Sequence, residues 1–404
     1  MPDQNRTRRI LAIIITIIVL ALLGYAVYRF FIASGTGSGA TQSPQPPVSG
    51  GATGGPVTSP ALSGTPGPTP LPSPTVGLET EIKEQTLLAL SDFSVSSPAI
   101  NKNQNQVFFY QKNGGDLFLS DFEGAKQKIS NITIVGLTEA LWSPAKDRSI
   151  ISYIDNETLK SFLHIGTSSV VSLPQNIKGL SWSPDGKQFA YLLQNKNNDN
   201  LSLIISDAAG KNTSEIYKTP ILDAQISWIS GDKIAFLTAP SGQAEGFLFL
   251  FSRSSHSFKK ILGPVSGLTT LWSPDGSRML VSAPGPRGGL TTAIYDSSGI
   301  KEQQLNFSTL TEKCVWSTPK ELYCAVPQGF PQGALLPDDY LRGEFATQDR
   351  IVSFSTDTGD TNTVLEGGAM DMANLAVTTK KDYLIFVNRT DGILWRLKLQ
   401  KASL

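Results

Sequence analysis

The chain is sparing with reactive and charged side chains. Its 404 residues include two cysteines, two histidines and four methionines, and no charged residue occurs from Ala33 to Leu78. The two histidines, His164 and His256, fall near turns of different repeats, a placement that gathers no metal-ligand set, and both read as solvated turn residues. There is no G-x-S-x-G nucleophile elbow, H-E-x-x-H helix, phosphate-binding loop or dinucleotide fingerprint, which removes the chemistries those motifs carry. Thirty-four basic residues balance 34 acidic ones, so the concentrated basic surface that nucleic acid requires is missing. No cysteine lies near the N-terminal apolar run, which excludes a lipoprotein anchor.

That run is the first positive feature. After a basic head, residues 1–9, Ile10 to Tyr28 carry no charge, and Arg29 and two phenylalanines follow. At about 1.5 Å per residue it crosses a hydrocarbon core roughly 30 Å thick, so 10–32 is expected to be a transmembrane signal-anchor helix. Arg6, Arg8 and Arg9 precede it and only Arg29 follows, which by the positive-inside rule leaves the N-terminus cytoplasmic and the remainder outside. A cleaved signal peptide ending at Ser38-Gly39-Ala40 is the competing reading, but its apolar core would be shorter, about 7–15 residues. Residues 33–78, dominated by Gly, Pro, Ser and Thr, cannot bury enough apolar surface to offset chain entropy and are expected to form a disordered stalk.

From 79 to 404 the chain is repetitive. LSWSPDGKQFAYLL at Leu180–Leu193 returns as LWSPDGSRMLVS at Leu271–Ser282. Each copy is two apolar strands around a turn in which proline sets φ, aspartate caps the backbone and glycine takes the left-handed position. Aligned on the aromatic before the turn, Trp142, Trp182, Trp228, Trp272 and Trp316 are spaced by 40, 46, 44 and 44 residues, and Ile100 and Val377 hold the same place in two further copies. A third strand then ends in a D-x-x-G-like turn, at Asp121–Gly124, Asp207–Gly210, Asp296–Gly299 and, as a variant, Thr356–Gly359. Seven units of about 40–45 residues, each of four antiparallel strands with an aromatic that packs between neighbouring sheets, predict an all-β, seven-bladed propeller. The seventh unit lacks a fourth strand; the apolar segment 85–95 supplies one and closes the ring.

The W-S-P-D-G turns at Trp182–Gly186 and Trp272–Gly276 resemble those of the TolB-like, WD40-like group of bacterial propellers. The resemblance covers roughly residues 100–399 and implies the fold. It implies no particular activity, because the translocation proteins of that group carry an additional α/β domain before a soluble propeller, whereas here a membrane span and stalk precede it.

The sixth unit departs from the others. Residues 327–350, PQGFPQGALLPDDYLRGEFATQDR, are inserted between its second and third strands, and long ordered insertions in compact folds are often functional. Such loops share a face with the inter-blade loops, so Asp338, Asp339, Tyr340 and Arg342 are expected to overhang the channel mouth beside Glu139, Asp223, Lys313 and Asp371, forming a binding face. Cys314 and Cys324 flank the turn after Trp316; a three-residue loop at Thr318–Lys320 pairs them across two strands, and an oxidising compartment permits a disulfide, the alternative being two buried thiols. No cofactor or metal is called for. The expected role is a membrane-anchored, extracytoplasmic binding or scaffolding module for a protein, peptide or glycan of the cell envelope, and not an enzyme; the alternative is a glycan lyase or cyclase with its site at the channel mouth.

Overall fold

The computed structural model describes residues 86–130, 132–194, 200–285 and 288–399. The expected head, membrane helix and stalk, residues 1–78, lie outside the described residues. Among those described, no helix is long and apolar enough to cross a membrane.

The described chain is a seven-bladed β-propeller of four-stranded antiparallel sheets. Blades 1 to 6 begin with the strands Val95–Ile100, Leu137–Trp142, Ile177–Trp182, Ala224–Trp228, Thr269–Trp272 and Cys314–Thr318, and each runs in sequence order from inner to outer strand. Blade 7 takes three strands, Met372–Val377, Tyr383–Asn388 and Leu394–Lys398, from the end of the chain. Its fourth is Leu87–Ala89, with Leu88 opposite Arg396. That strand is shorter than the segment expected to close the ring, and Val95 already belongs to blade 1.

Every blade-to-blade interface holds its own apolar core. At the seam, Val95, Val107 and Phe109 of blade 1 pack with Ile385, Val387 and Leu394 of blade 7. A sheet packed on both faces by its neighbours keeps only short, protected edges, one inner and one outer. The repeated tryptophans stitch neighbours together: the indole N–H groups of Trp142, Trp182 and Trp316 donate to the carbonyls of Ser97, Leu141 and Leu271, each on the first strand of the preceding blade, at 2.8, 3.0 and 3.1 Å. Trp228 and Trp272 occupy the same place without that bond.

The turn chemistry follows the sequence. In the third blade the Ser183 hydroxyl donates to the Asp185 carboxylate at 2.7 Å, the Lys187 amide donates to the same oxygen, and Gly186 has φ +69°. In the fifth, Asp275 does the same for Ser273 and Ser277. A Cβ on Gly276 would stand 2.5 Å from the Ile229 carbonyl oxygen of the preceding blade, so glycine there serves packing as well as φ. Asp121, Asp207 and Asp296 each accept backbone N–H bonds from two and four residues ahead. These aspartates build turns.

Candidate functional site

Antiparallel order puts the inter-blade linkers and the loops between second and third strands on one face, called the upper face here. The blade 6 insertion stands on it. Leu336 and Tyr340 pack with Leu290 and Leu310, with Phe330 and Phe345 against them. The five-residue helix Asp338–Arg342, α1, follows Pro337 and ends at Gly343 in the left-handed conformation. The Gly242 amide of blade 4 donates to the Asp338 carboxylate at 2.6 Å, and the Arg389 guanidinium of blade 7 donates to the Tyr340 carbonyl at 3.0 Å. The insertion therefore reaches across blades 4 to 7 as a cap.

Beneath the cap lies a dry charged cluster. Lys313, which ends a 3-10 turn before the first strand of blade 6, places its Nζ 2.6 Å from both Asp349 Oδ2 and Asp371 Oδ1. The Tyr340 hydroxyl and the Thr347 hydroxyl also donate to Asp371 Oδ1, at 2.6 and 3.1 Å. Lys313, Asp349 and Tyr340 are 0% exposed and Asp371 is 1% exposed. Burial pushes the Asp349 carboxyl above its ordinary range against the pull of Lys313. Asp371 is held below its ordinary range, since Lys313 and the Tyr340 hydroxyl outweigh its burial.

This placement alters the expected binding face. Lys313, Asp371 and Tyr340 do come together, but facing one another under the cap, because Tyr340 is the apolar anchor of the insertion and its hydroxyl needs a buried acceptor. Asp338 and Asp339 are half-buried and engaged with the Gly242 and Leu335 amides. Arg342 is exposed but pairs with Asp339 and Glu344 on the cap itself. Asp223 is exposed on the rim of blade 4. Glu139 lies apart from all of these, on blade 2.

Glu139 marks the uncapped half. A cleft of about 430 Å³ is lined by Thr138, Glu139, Leu159, Lys178 and Gln225, from blades 2, 3 and 4. Solvent reaches Glu139 through it, yet protein surrounds the carboxyl, and that desolvation pushes its pKa up. A larger groove of about 840 Å³ runs along the outer part of blade 2, past Val135, Tyr153, Ile154, Phe162, Val170 and Pro174. Val135, Ile154, Leu159 and Val170 are 75, 52, 48 and 53% exposed. Ile154 and Leu159 face each other across the hairpin that separates the two cavities, and Val135 lies next to Gly136, whose carbonyl accepts from the Ile154 amide, so three large apolar side chains stand in water around one blade tip; Val170 stands farther down the groove, opposite His164. Sequence inspection missed them because Ile154, Leu159 and Val170 read as ordinary strand residues and Val135 as a residue of the turn before a strand; the hairpin tip between Ile154 and Leu159 is turned by Asn156 and Glu157 at positive φ.

The remaining residues fall as follows. His164 is buried, with Nδ1 3.0 Å from the Tyr110 hydroxyl and Nε2 unpartnered, in place of the solvated position expected for it; it sits on the inward face of a third strand, not in the turn. His256 is an exposed turn residue. Cys314 and Cys324 are joined by a disulfide, opposite each other with Cα atoms 4.1 Å apart. Their pairing arises through a register shift after Trp316 and a tighter turn than the three-residue loop expected, with Thr318 opposite Glu321. Among the described residues no group of three or more His, Cys, Asp or Glu side chains is arranged to hold a metal ion.

No known protein family matches the chain, and no curated protein matches its sequence. The fold is shared with solved propellers. An oligogalacturonate lyase from Vibrio parahaemolyticus is similar over 80% of this chain and 96% of its own, at TM-score 0.56 and 10% identity. An oligogalacturonate lyase in complex with manganese is similar over 78% and 93%, at 0.55 and 11%. The propeller domain of the Trilobed protease from Pyrococcus furiosus, described as having an open velcro topology, is similar over 77% and 99%, at 0.50 and 14%. No likeness singles out the TolB-like group; what is shown is the β-propeller. The expectation that the chain is not an enzyme is corrected by these findings: the lyases match over nearly their whole length, so a propeller without an appended hydrolase domain is an architecture that enzymes use. At such identity the likeness carries no activity across. Among the described residues, the buried carboxylate pair Asp349 and Asp371 is bridged by the Lys313 ammonium, which takes the place a cation between them would occupy.

Proposed function

We propose that this chain is a membrane-anchored, extracytoplasmic β-propeller that binds a protein, peptide or glycan of the cell envelope on the uncapped half of its upper face. One observation carries the reading: two cavities and three exposed apolar side chains, Val135, Ile154 and Leu159, meet at the tip of blade 2, while the opposite half is covered by the chain's own insertion. Clustered exposed apolar surface marks interaction sites more often than scattered residues do. The basic head and the uncharged run 10–28 support the anchor.

A photo-crosslinking residue placed at Leu159 and, separately, at Leu341 on the cap tests the site in cells. Adducts from Leu159 and none from Leu341 are expected; equal labelling from both sinks the reading. The alternative, an extracytoplasmic enzyme of glycan lyase or cyclase type at the channel mouth, has one observation in its favour. Glu139, a carboxyl whose pKa desolvation raises, lines the same cleft as Lys178, and an upward-shifted carboxyl in a cleft is a candidate general acid or base. Release of unsaturated products from oligosaccharides by the wild-type protein, abolished in Glu139→Gln, would establish it.

A further inference from the structure

The buried cluster under the cap holds more than an ion pair needs. An ammonium with two carboxylates in a pocket closed to bulk solvent is costly to assemble, and exchanging such groups for neutral ones is often stabilising. Here the three groups also stand in an order that chemistry can use. Asp349 Oδ2 accepts from the Met372 amide at 2.7 Å as well as from Lys313, whereas Asp349 Oδ1 is buried without a partner. Asp371 Oδ1 is the common acceptor for Lys313, Tyr340 and Thr347. The Lys313 Nζ lies 4.9 Å from the Tyr340 ring centroid, which closes the pocket from above.

We propose that Lys313 and Asp349 condense into an intramolecular isopeptide bond, with Asp371 as the proton relay. Asp371 Oδ1 takes a proton from the Lys313 ammonium and passes it to Asp349 Oδ1. The freed Nζ lone pair attacks Asp349 Cγ, and the oxyanion forming on Oδ2 is held by the Met372 N–H, as backbone amides hold developing charge elsewhere. A second Nζ proton follows the same route through Asp371 to Oδ1, the Cγ–Oδ1 bond breaks and one water leaves. Ammonium and carboxylate become amide and water, Asp371 ends as it began, and no oxidant or co-reactant is needed. Two reacting groups fixed at contact gain an effective molarity of about 10⁵–10⁸ M, and the dry pocket removes the water that drives the reverse reaction in solution.

The roles of the two carboxylates are not interchangeable. Burial raises Asp349, which favours the acid form whose oxygen can leave, while Asp371 is lowered and stays ready to accept a proton. The bond would tie the segment entering the innermost strand of blade 6 to the root of the insertion, since Asp349 opens the third strand. The cap would then be clamped by the Cys314–Cys324 disulfide on one side of Lys313 and by the amide at its tip.

Mass spectrometry of the full chain, purified in detergent and reduced, decides the matter. The protein is expected to be lighter than its sequence by one water. Trypsin should fail to cut after Lys313, and the peptide Glu302–Lys320 should remain joined to Gly343–Arg350, a link that a succinimide at an Asp-Gly turn does not make. Asp371→Asn, checked for a cooperative melting transition, should restore the full mass and cleavage after Lys313. A folded wild-type protein of full mass that is cut after Lys313 overturns the proposal. A link to Ile351–Lys380, which carries Asp371, overturns the assignment of roles.

Discussion

Blades 1 to 3 and blades 4 to 7 are built from the same repeat and treat their upper ends differently. On the second group the inserted segment lays Leu336 and Tyr340 into an apolar seat and buries the charges it covers. On the first group no described residue covers the rim, and Val135, Ile154 and Leu159 stand exposed there. A propeller's stability comes from its inter-blade cores, and those are equivalent around the ring, so its upper loops vary without endangering the fold. What separates the halves is therefore cover: one rim is sealed by the chain's own insertion, and the other is the one proposed above to bind a partner.

The seam where the halves meet, between blades 7 and 1, gives the largest expected effect. Deleting residues 84–93 removes the strand Leu87–Ala89 and the buried Leu90, opening blade 7 and its core with blade 1. Loss of the cooperative melting transition is expected; an unchanged melting temperature would show that the ring does not need its closing strand.

Within the capped half, Lys313→Ala leaves Asp349 and Asp371 side by side without a cation. The cost should be on the order of 3–5 kcal/mol, the usual penalty for stripping one partner from a buried pair. Chemical denaturation measures it, and Tyr340→Phe, which loses one buried hydrogen bond to a carboxylate, should cost about 1.5–3 kcal/mol.

Acid should distinguish the halves as well. His164, between blades 1 and 2, is held neutral because burial pushes its pKa below the ordinary 6.5. Its neutral form then contributes stability that is fully present above pH 6.5 and lost as pH falls below that value, since only the unfolded chain takes up the proton readily. The slope is at most about 1.4 kcal/mol per pH unit for one group. Melting curves between pH 7.5 and 5 should show a decline that His164→Gln flattens; Tyr110, whose hydroxyl meets His164 Nδ1, is held protonated by burial, with a pKa pushed to about 12. The smallest effect on stability is expected at the open rim. Ile154→Asp and Leu159→Asp replace exposed residues and should change folding free energy by no more than about 0.5 kcal/mol, while abolishing crosslinks from that blade.

Much of the architecture was legible in the amino-acid order, and the reasons are specific. Trp182, Pro184, Asp185 and Gly186 form a local unit whose geometry depends on few distant contacts, so each copy reports its own hairpin, and seven copies report a ring. The register at Cys314 and Cys324 was legible for the same local reason, although the bulge that produces it was not. The candidate site was read less well. Tyr340, Lys313 and Asp371 carry the marks of a binding face, aromatic and charged on rim loops, yet whether such residues face water or one another depends on how a 24-residue insertion folds back over other blades. His164 misled in the same way, since a residue near a turn can point inward.

Sequence alone was sufficient for the number of blades, the turn residues, the tryptophans that pack between sheets and the need for an N-terminal closing strand, because these rest on period, φ preference and a seventh repeat one strand short. Tertiary structure decided which rim is covered, which charges are dry and which apolar side chains stand in water. Those depend on contacts between segments far apart in the chain, such as Asp338 with Gly242 and Tyr340 with Asp371. No periodicity encodes such contacts; they exist only once the ring has brought the blades together.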